Sequence, residues 1–430
     1  MWSEQTFKSE SEIKAWQLGA LQDLLSYVSE KSPYYRELLH SAFGEKAVSI
    51  DSLKDFESIP VTTKADLQKR NADFLCVDKS GIIDYCSTSG TLGNPVHIPL
   101  SDNDLERLAY NEYFTFKTAG VSKDDVVQLM LSLDRQFMAG IAYWLGSRRT
   151  GATIVRGGPG NPAMQFELIS RMKSTVLVGV PSFVVSLIAH AFENSIDLNK
   201  LPVKKIICIG ENIRSEEFQN NSLSDRITRN WDVKLFSTYA STEMQTAFTE
   251  CERGNGGHHQ AGLLYFEILD ENNQSLPPGE YGELTITTLG VEAMPLIRYK
   301  TGDICAYVES PCSCGMMGYR ITPIKGRKQQ MIKYKGTSVY PQAIFNALDG
   351  NEFITDYVVK AQKNDMGTDD LEIVIATEMD FAAAQKILQQ KLQSKLRIVP
   401  KISIVDLAII QKMHNQEGKR KISRFVDERA

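Results

Sequence analysis

Four hydroxyl residues and two glycines lie close together in the segment Tyr85-Cys-Ser-Thr-Ser-Gly-Thr-Leu-Gly-Asn-Pro95. Backbone N–H groups and hydroxyl donors at this density can bind the oxygens of an oligophosphate, and glycine lets the backbone approach such a ligand closely. No Lys follows the second glycine, where Asn94 stands, so the segment differs from the G-x-x-x-x-G-K-[ST] pattern. The segment predicts a nucleotide phosphate loop, with an ordinary polar turn as the alternative.

Three cysteines and one histidine have the side chains needed for a metal site. Cys251 and His258 lie in a glycine-rich segment, and Cys312 and Cys314 form a close thiol pair further on. Thiolate and imidazole ligands suit Zn²⁺, and four protein ligands leave no open position, so the predicted site is structural. The prediction requires two distant pairs to meet in the fold. The alternative is that these are unrelated small apolar residues, which is how we interpret Cys76, Cys86, Cys208 and Cys305.

Apolar spacing along the first three-quarters of the chain alternates between helix and strand patterns. It predicts a helix over 11–30 and a second over 102–119, with Ser101 as the N-cap. Short apolar runs predict buried strands at 126–131, 153–156, 176–180, 205–209 and 234–237. The alternation predicts a layered α/β architecture.

The pattern changes after Cys251, where 262–270 and 282–288 have the spacing of antiparallel strands joined by a turn at 276–279. The last hundred residues predict a small α/β unit with helices opening at Pro341 and spanning 381–396, and strands at 356–361, 371–377 and 401–405. The predicted fold class is therefore α/β: a large layered α/β N-terminal domain with a β-rich part, plus a small α+β C-terminal domain.

Length and charge narrow the classes of protein. At 430 residues the chain exceeds one ordinary core, and 42% hydrophobic with 23% charged residues is a globular balance. No apolar stretch is long enough for a membrane span, and the first residues lack a signal pattern, so we expect a soluble cytoplasmic protein. The net charge of −5 disfavours nucleic acid, although the last hundred residues are basic, which suits a phosphate-rich ligand.

Several further segments, in this order, resemble the phenylacetate-CoA ligase group of adenylate-forming enzymes. They are Phe236-Ser-Thr-Tyr-Ala-Ser-Thr-Glu243, Ile297-Arg-Tyr-Lys-Thr-Gly-Asp303, the start of a small domain at 326–341, and Glu417-Gly-Lys419. Ser32-Pro-Tyr-Tyr-Arg36 and Ile59-Pro-Val-Thr-Thr-Lys-Ala-Asp-Leu67 are also similar to this group. The resemblance thus extends over nearly the whole chain, and the order of the motifs is more specific than any one of them.

The resemblance implies a two-step reaction on one site. A carboxylate attacks the α-phosphorus of ATP and expels pyrophosphate, and coenzyme A then displaces AMP to give a thioester. It implies an adenylation domain over 1–325 that includes the zinc site. It further implies a mobile domain over 326–430, with the hinge near 327–330. Phenylacetate or a related aryl acid is the family's usual substrate.

The resemblance also implies a role for each matching residue. Thr88, Glu243 and Lys419 would be catalytic, with Glu243 coordinating Mg²⁺ and Lys419 facing the α-phosphate. Asp303 would accept hydrogen bonds from the ribose, with Arg327 reinforcing it. The remaining nucleotide-binding residues would be Ser87, Ser89, Gly90, Thr91, Gly210, Glu211, Asn212, Ala240, Ser241, Thr242 and Tyr239, which would stack on the base. For Lys419 a solvated tail lysine is the alternative.

Two positions depart from the family pattern. Asn94 stands where many relatives carry Lys, and Gln329 occupies the hinge position where Asp or Lys is common. Two other functions stay open: an adenylating enzyme that passes the acyl group to a protein thiol or another acceptor, and a zinc-organised binding protein with a decayed active site. The partners are a small carboxylic acid and coenzyme A, and homodimerisation is left open.

Overall fold

The computed structural model describes Trp2 and residues 6–44, 48–88, 95–334, 337–349, 351–364, 369–414 and 424–429. Its α-helices are α1 (Glu10–Lys31), α2 (Pro33–Phe43), α3 (Leu53–Phe56), α4 (Lys64–Arg70), α5 (Asp102–Thr118), α6 (Met138–Thr150), α7 (Pro162–Met172), α8 (Pro181–Glu193), α9 (Ser222–Thr228), α10 (Pro341–Leu348), α11 (Phe381–Leu396) and α12 (Leu407–His414). Its strands are β1 (Asp84–Ser87), β2 (His97–Leu100), β3 (Val126–Leu129), β4 (Thr153–Arg156), β5 (Val176–Gly179), β6 (Lys205–Ile209), β7 (Lys234–Ser241), β8 (Thr246–Glu250), β9 (Gly257–His258), β10 (Leu264–Leu269), β11 (Gly282–Thr288), β12 (Tyr299–Cys305), β13 (Tyr307–Val308), β14 (Arg320–Ile321), β15 (Gly326–Arg327), β16 (Ile332–Tyr334), β17 (Thr337–Val339), β18 (Asp356–Lys363), β19 (Asp369–Ala376), β20 (Lys401–Ile404) and β21 (Phe425–Glu428).

The largest sheet carries the layered α/β architecture. Its strand order is β13-β14-β9-β8-β7-β6-β5-β3-β4, and the half from β4 to β7 is parallel. Strand β5 is buried along its whole length, as expected for a parallel strand with both faces covered. From β7 to β13 the pairing is antiparallel, which brings strands from beyond residue 240 onto the same sheet. The predicted α/β fold is confirmed, but β4, which was predicted as a buried strand, is partly exposed because it lies at the edge of the sheet.

A second sheet of order β10-β11-β12-β15 is antiparallel and forms the β-rich part. Strands β10 and β11 pair from Leu264 with Thr288 to Leu269 with Glu283, joined by the predicted turn. Between β11 and β12 the register shifts, and Gly302 has a φ of +78° there. Glycine adopts that conformation at little cost, so the sequence Thr-Gly-Asp can bend β12 just before Asp303.

The helices begin and end where local capping predicts. Ser9 caps α1, and Ser32 ends α1 and caps α2 at Pro33. Ser101 caps α5 in a reciprocal capping box with Asp104, as predicted. Helix α1 buries Leu21, Leu25 and Val28, among others, in the main hydrophobic core with the antiparallel sheet.

The C-terminal part builds a hydrophobic core of its own, made of residues between Ile332 and Phe425. The sheet β20-β19-β18-β21 packs with helices such as α11, whose predicted bounds of 381–396 are confirmed. Asp349, Tyr357 and Arg424 are hydrogen-bonded together inside this part. The separate core supports a second folding unit, and its boundary at 325/326 stays a proposal.

His97 begins β2, and its side chain is exposed. In the described part of the chain, β2 pairs with β1 in a two-stranded sheet. Within the described ranges, none of the helices combines the length and apolar character that crossing a bilayer would need.

Candidate active site and metal centre

The predicted phosphate loop begins inside a small sheet. Ser87 ends β1. The Thr88 N–H donates to the Val96 carbonyl at 3.0 Å, and the Thr88 hydroxyl oxygen accepts the Val96 N–H at 3.0 Å. Both hydroxyl residues are buried. Ser89, Gly90 and Thr91 lie outside the described residues, so their predicted phosphate contacts stay predictions. The described ends of the loop are thus fixed by β1 and by the Val96 pairing.

A buried carboxylate follows the end of β7. Glu243 lies in the turn between β7 and β8 and is 8% exposed. Its Oε1 is 3.6 Å from the Lys64 ammonium nitrogen, and the Tyr299 hydroxyl donates to it at 3.4 Å. Burial, with Glu243 nearby, raises the pKa of Tyr299, so this hydroxyl stays a donor. Glu243 therefore presents a carboxylate oxygen beside the Lys64 ammonium group, just beyond the end of β7.

A second buried carboxylate joins the two main sheets. The Tyr239 hydroxyl on β7 donates to Asp303 Oδ2 at 2.6 Å, and Arg327 Nε lies 3.4 Å from Asp303 Oδ1. Asp303 and Arg327 face each other across β12 and β15. Burial raises the pKa of Asp303 while Arg327 opposes the shift, and Glu243 is close enough to raise it further. The two carboxylates therefore belong to one electrostatic site.

Other predicted nucleotide residues lie on the loops that follow β6 and β7. Gly210 has a φ of +79°, Glu211 accepts the backbone N–H of Ser182 at 2.8 Å, and the Asn212 amide donates to the Ile324 carbonyl at 2.6 Å. Residues after parallel strands meet at the carboxyl edge of a sheet, where ligands of α/β folds bind. The segment Ala240, Ser241 and Thr242 continues β7 into the Glu243 turn, and Ser241 Oγ accepts the Met244 N–H.

Lys419 lies outside the described residues. The structure therefore gives no position for Lys419 relative to the candidate site. Its catalytic role stays a prediction from the motif Glu417-Gly-Lys419.

Sequence reasoning missed Lys64 as a site residue. Lys64 is the first residue of α4, whose start is set by a capping box between Thr63 and Asp66. Thr62 pairs with Tyr299 in a parallel bridge, which places the start of this helix beside Glu243. The segment Ile59-Pro-Val-Thr-Thr-Lys resembles the family and could have drawn attention to Lys64. Its local sequence, however, does not indicate that Lys64 lies close to Glu243 in the fold.

The four predicted metal ligands come together. The ligand atoms of Cys251, His258, Cys312 and Cys314 all lie within 4.8 Å of one another. Cys251 Sγ is 3.7 Å from Cys312 Sγ, and Cys314 Sγ is 3.5 Å from His258 Nε2. Ligands at the Zn–S length of about 2.3 Å stand roughly 3.8 Å apart on a tetrahedron. The donor set and spacing therefore fit a four-coordinate zinc ion.

The antiparallel edge of the large sheet positions this cluster. Cys251 follows β8, His258 is in β9, and the two later cysteines lie in the loop between β13 and β14. Arg320 pairs with His258 across β14 and β9, and its guanidinium donates to the Asn255 carbonyl and, at 2.6 Å, to the Ser310 carbonyl. Arg320 thus links the two cysteine-bearing loops. The neighbouring His259 is not among the four clustered ligands.

The large sheet, the antiparallel sheet and the small C-terminal unit together define the fold of acyl-CoA ligases. A solved structure of 2-hydroxyisobutyryl-CoA ligase in its postadenylation state superposes with a TM-score of 0.84 at 23% identity, covering 99% of this chain and 91% of that one. At this identity the likeness concerns the fold.

Sequence comparisons show which family of enzymes the chain belongs to. The AMP-binding enzyme family model matches residues 32–293. The phenylacetate-coenzyme A ligase of Thermus thermophilus is 27% identical over 337 residues, covering 77% of this chain and 74% of the relative. That of Aromatoleum evansii is 25% identical over 434 residues, covering 97% and 95%. The chain belongs to the AMP-binding enzymes, in the phenylacetate-CoA ligase family of the adenylate-forming superfamily.

Proposed function

We propose that this protein is an ATP-dependent acid–thiol ligase that adenylates a carboxylic acid and transfers the acyl group to coenzyme A. The observation that carries the proposal is the junction of Tyr239, Asp303 and Arg327, where a buried carboxylate connects the two main sheets. Burying a carboxylate costs free energy unless it is paired, and buried carboxylates with a perturbed pKa are concentrated at functional sites. In the family to which the chain belongs, this position recognises the nucleotide's ribose.

In this proposal the nucleotide lies along the ends of β6, β7 and β12. Asp303 accepts hydrogen bonds from the ribose hydroxyls and Arg327 holds the carboxylate in place. Tyr239 stacks on the base beside the segment of Gly210, Glu211 and Asn212. Thr88 and its hydroxyl neighbours bind the phosphates, whose charge the local donors stabilise.

Magnesium fits the carboxylate beside Lys64. Mg²⁺ prefers hard oxygen ligands and is usually held by one or two carboxylates together with substrate phosphates. Glu243 offers one such oxygen, buried and directed toward Lys64. When bound, the ion neutralises charge on the phosphates. Lys64 then adds a fixed positive charge on the same side of the site.

The substrate we propose is phenylacetate or a related aryl acid. Support comes from relatives named phenylacetate-coenzyme A ligase that cover up to 97% of the chain. Apolar side chains around Phe137, Tyr143 and Val180 pack together next to the end of β6, and we assign the acyl group to this region. An aryl group buries well among such side chains.

A screen of carboxylic acids for pyrophosphate release tests the function directly. We expect release that depends on an aryl acid, and a thioester product only when coenzyme A is present. Pyrophosphate release without any thioester would favour the other candidate, an enzyme that passes the acyl group to a protein thiol. No acid-dependent release from any acid would contradict the adenylation proposal.

We also propose a structural Zn²⁺ held by Cys251, His258, Cys312 and Cys314. The spacing of the thiols and the imidazole supports it. A closed shell of four protein ligands has no open coordination position, so the ion would stabilise the sheet edge and take no part in the reaction.

Replacing Asp303 with alanine should weaken ATP binding about tenfold, because charge-assisted hydrogen bonds to the ribose are lost. The acid preference should not change, since the carboxylate faces Tyr239 and Arg327 and not the proposed acyl region. Titration of ATP and a comparison of several acids would measure both. Unchanged nucleotide affinity would remove Asp303 from the site.

Replacing Lys64 with methionine should slow acid-dependent pyrophosphate release by about tenfold, because one positioned cation beside the phosphates is removed. Lys69 lies on the same short helix with an exposed side chain, so Lys69→Met is the matched control. The control should retain the parent rate. Equal rates for the two variants would show that the Lys64 charge does not act in adenylation.

A further inference from the structure

Two consecutive residues in the loop between β3 and α6 have a left-handed backbone. Arg135 has a φ of +57° and Gln136 a φ of +58°, and no other two neighbouring non-glycine residues in the described part of the chain share this conformation. A side chain with a Cβ adopts it only at a cost in free energy. Such strain persists where the surrounding structure requires it, and it is concentrated at active sites and ligand-binding sites. The turn is therefore a candidate functional element.

The turn is held in place from two sides. The backbone N–H of Ser87, which begins the Ser-Thr-Ser run of the predicted phosphate loop, donates to the Gln136 carbonyl at 2.9 Å. On the other side, Gly140 of α6 packs on the start of the same loop, because a Cβ at this position would lie 2.0 Å from the Ser132 carbonyl oxygen. The fold thus fixes Gln136, and with it the adjacent Arg135, against the start of the phosphate loop.

The turn lies at the same edge of the large sheet as the other proposed nucleotide residues. It follows β3, which is parallel to β5, and β6 and β7 continue the parallel half of the sheet. Loops that follow parallel strands meet at the carboxyl edge of a sheet. The segment 210–212 follows β6 and Glu243 follows β7, so Arg135 is on the nucleotide side of the sheet.

The predicted phosphate loop has no cation of its own. Residues 85–95 include neither Lys nor Arg, and Asn94 stands where many relatives carry Lys. Of the cations already assigned, Lys64 lies beside Glu243, and the predicted role of Lys419 is at the α-phosphate. A triphosphate carries several negative charges, and charge-assisted hydrogen bonds to phosphate are among the strong ones. The β- and γ-phosphates therefore lack a cationic side chain beside this loop.

The Arg135 guanidinium group is accessible to a ligand. Its Nε lies 3.5 Å from Asp134 Oδ2, and the two side chains are 74% and 67% exposed. Such an exposed ion pair contributes little to stability. The guanidinium group can therefore exchange Asp134 for a phosphate at little cost, and its planar fork matches two phosphate oxygens.

We propose that Arg135 binds the β- and γ-phosphates of ATP and replaces the cation that the phosphate loop lacks at Asn94. The inference rests on the proposed function and deepens it by adding a residue to the adenylation site. As the bond between the α-phosphorus and the bridging oxygen breaks, its electron pair stays on the pyrophosphate. Arg135 keeps its protons and stabilises that charge.

Binding of ATP and of AMP to the full chain, measured by calorimetry with Mg²⁺ and without a carboxylic acid, tests the proposal. Arg135→Gly should raise the Kd for ATP about tenfold, because charge-assisted hydrogen bonds to phosphate are lost. The Kd for AMP should not change, since AMP lacks the β- and γ-phosphates. The thermal unfolding midpoint should not fall, because glycine adopts the backbone of position 135 without strain.

Two further variants separate the charge from the backbone. Asparagine also tolerates a left-handed backbone, so Arg135→Asn removes the charge without the added freedom of glycine and should show the same loss of ATP affinity. Arg397 has a φ of +58° and is the exposed C-cap residue of α11. Arg397→Gly is therefore the matched control and should leave the affinities for ATP and AMP unchanged.

The outcomes distinguish this role from the proposed function. A parent protein that does not bind ATP would contradict the proposed function and the role of Arg135 together. A parent that binds ATP while either Arg135 variant keeps the parent affinity would overturn the role of Arg135 alone. Equal losses of ATP and AMP affinity, or a clearly lower unfolding midpoint, would show that Arg135 supports the loop and would also overturn its role at the phosphates.

Discussion

Replacing Cys312 and Cys314 with serine should reduce the zinc content from about one ion per chain to nearly none. Both sulfur atoms belong to the four-ligand cluster, and a shell that keeps only Cys251 and His258 cannot hold a structural ion tightly. Stability should fall as well, because metal binding at such a site contributes to folding. Metal analysis of the purified proteins and their thermal unfolding midpoints would measure the two effects.

Cys76→Ala gives the matched control, since Cys76 is a buried thiol outside the cluster. It should keep its zinc even if packing costs some stability. Treatment of the parent protein with a chelator should lower the unfolding midpoint toward that of the double variant. Full zinc retention by the Cys312→Ser, Cys314→Ser protein would contradict the assignment.

Local chemistry accounts for the parts of the fold that the sequence predicted well. Helix α1 was expected over 11–30 and spans Glu10–Lys31, because Ser9 and Ser32 set its ends. Strand β11 was expected over 282–288 and has these bounds, since a turn and alternating residues delimit it. Caps, prolines and apolar periodicity act over a few residues, so they are legible without a structure.

Contacts between segments that are distant in the sequence could be predicted only where the side chains have a specific shared chemistry, such as metal binding. Three cysteines and a histidine spaced as Cys251, His258, Cys312 and Cys314 are typical of a metal site, so the sequence predicted that their side chains lie close together. Lys64 gave no such signal, because lysines are common on helix surfaces and its proximity to Glu243 depends on the bridge between Thr62 and Tyr299.

Lys419→Ala should slow acyl-adenylate formation by about a hundredfold or more, as expected when one positioned charge is lost from a phosphoryl-transfer site. The proposed role of Lys419 is confined to the first half-reaction, when the C-terminal unit presents it to the α-phosphate. The variant should therefore still convert chemically prepared acyl-adenylate and coenzyme A to thioester at a nearly normal rate. Pyrophosphate release and thioester formation, measured separately, give the two rates.

The ratio of the two rates distinguishes a catalytic role from a structural one, because a variant with impaired folding would lose activity in both half-reactions. Lys412 provides a control on the exposed face of α12, and Lys412→Ala should leave both half-reactions unchanged. An equal loss in both half-reactions for Lys419→Ala would mean that this lysine supports folding or general binding. Selective loss of the first half-reaction would mean that the C-terminal unit takes different positions in the two half-reactions. Such a motion is possible because this unit has its own hydrophobic core between Ile332 and Phe425.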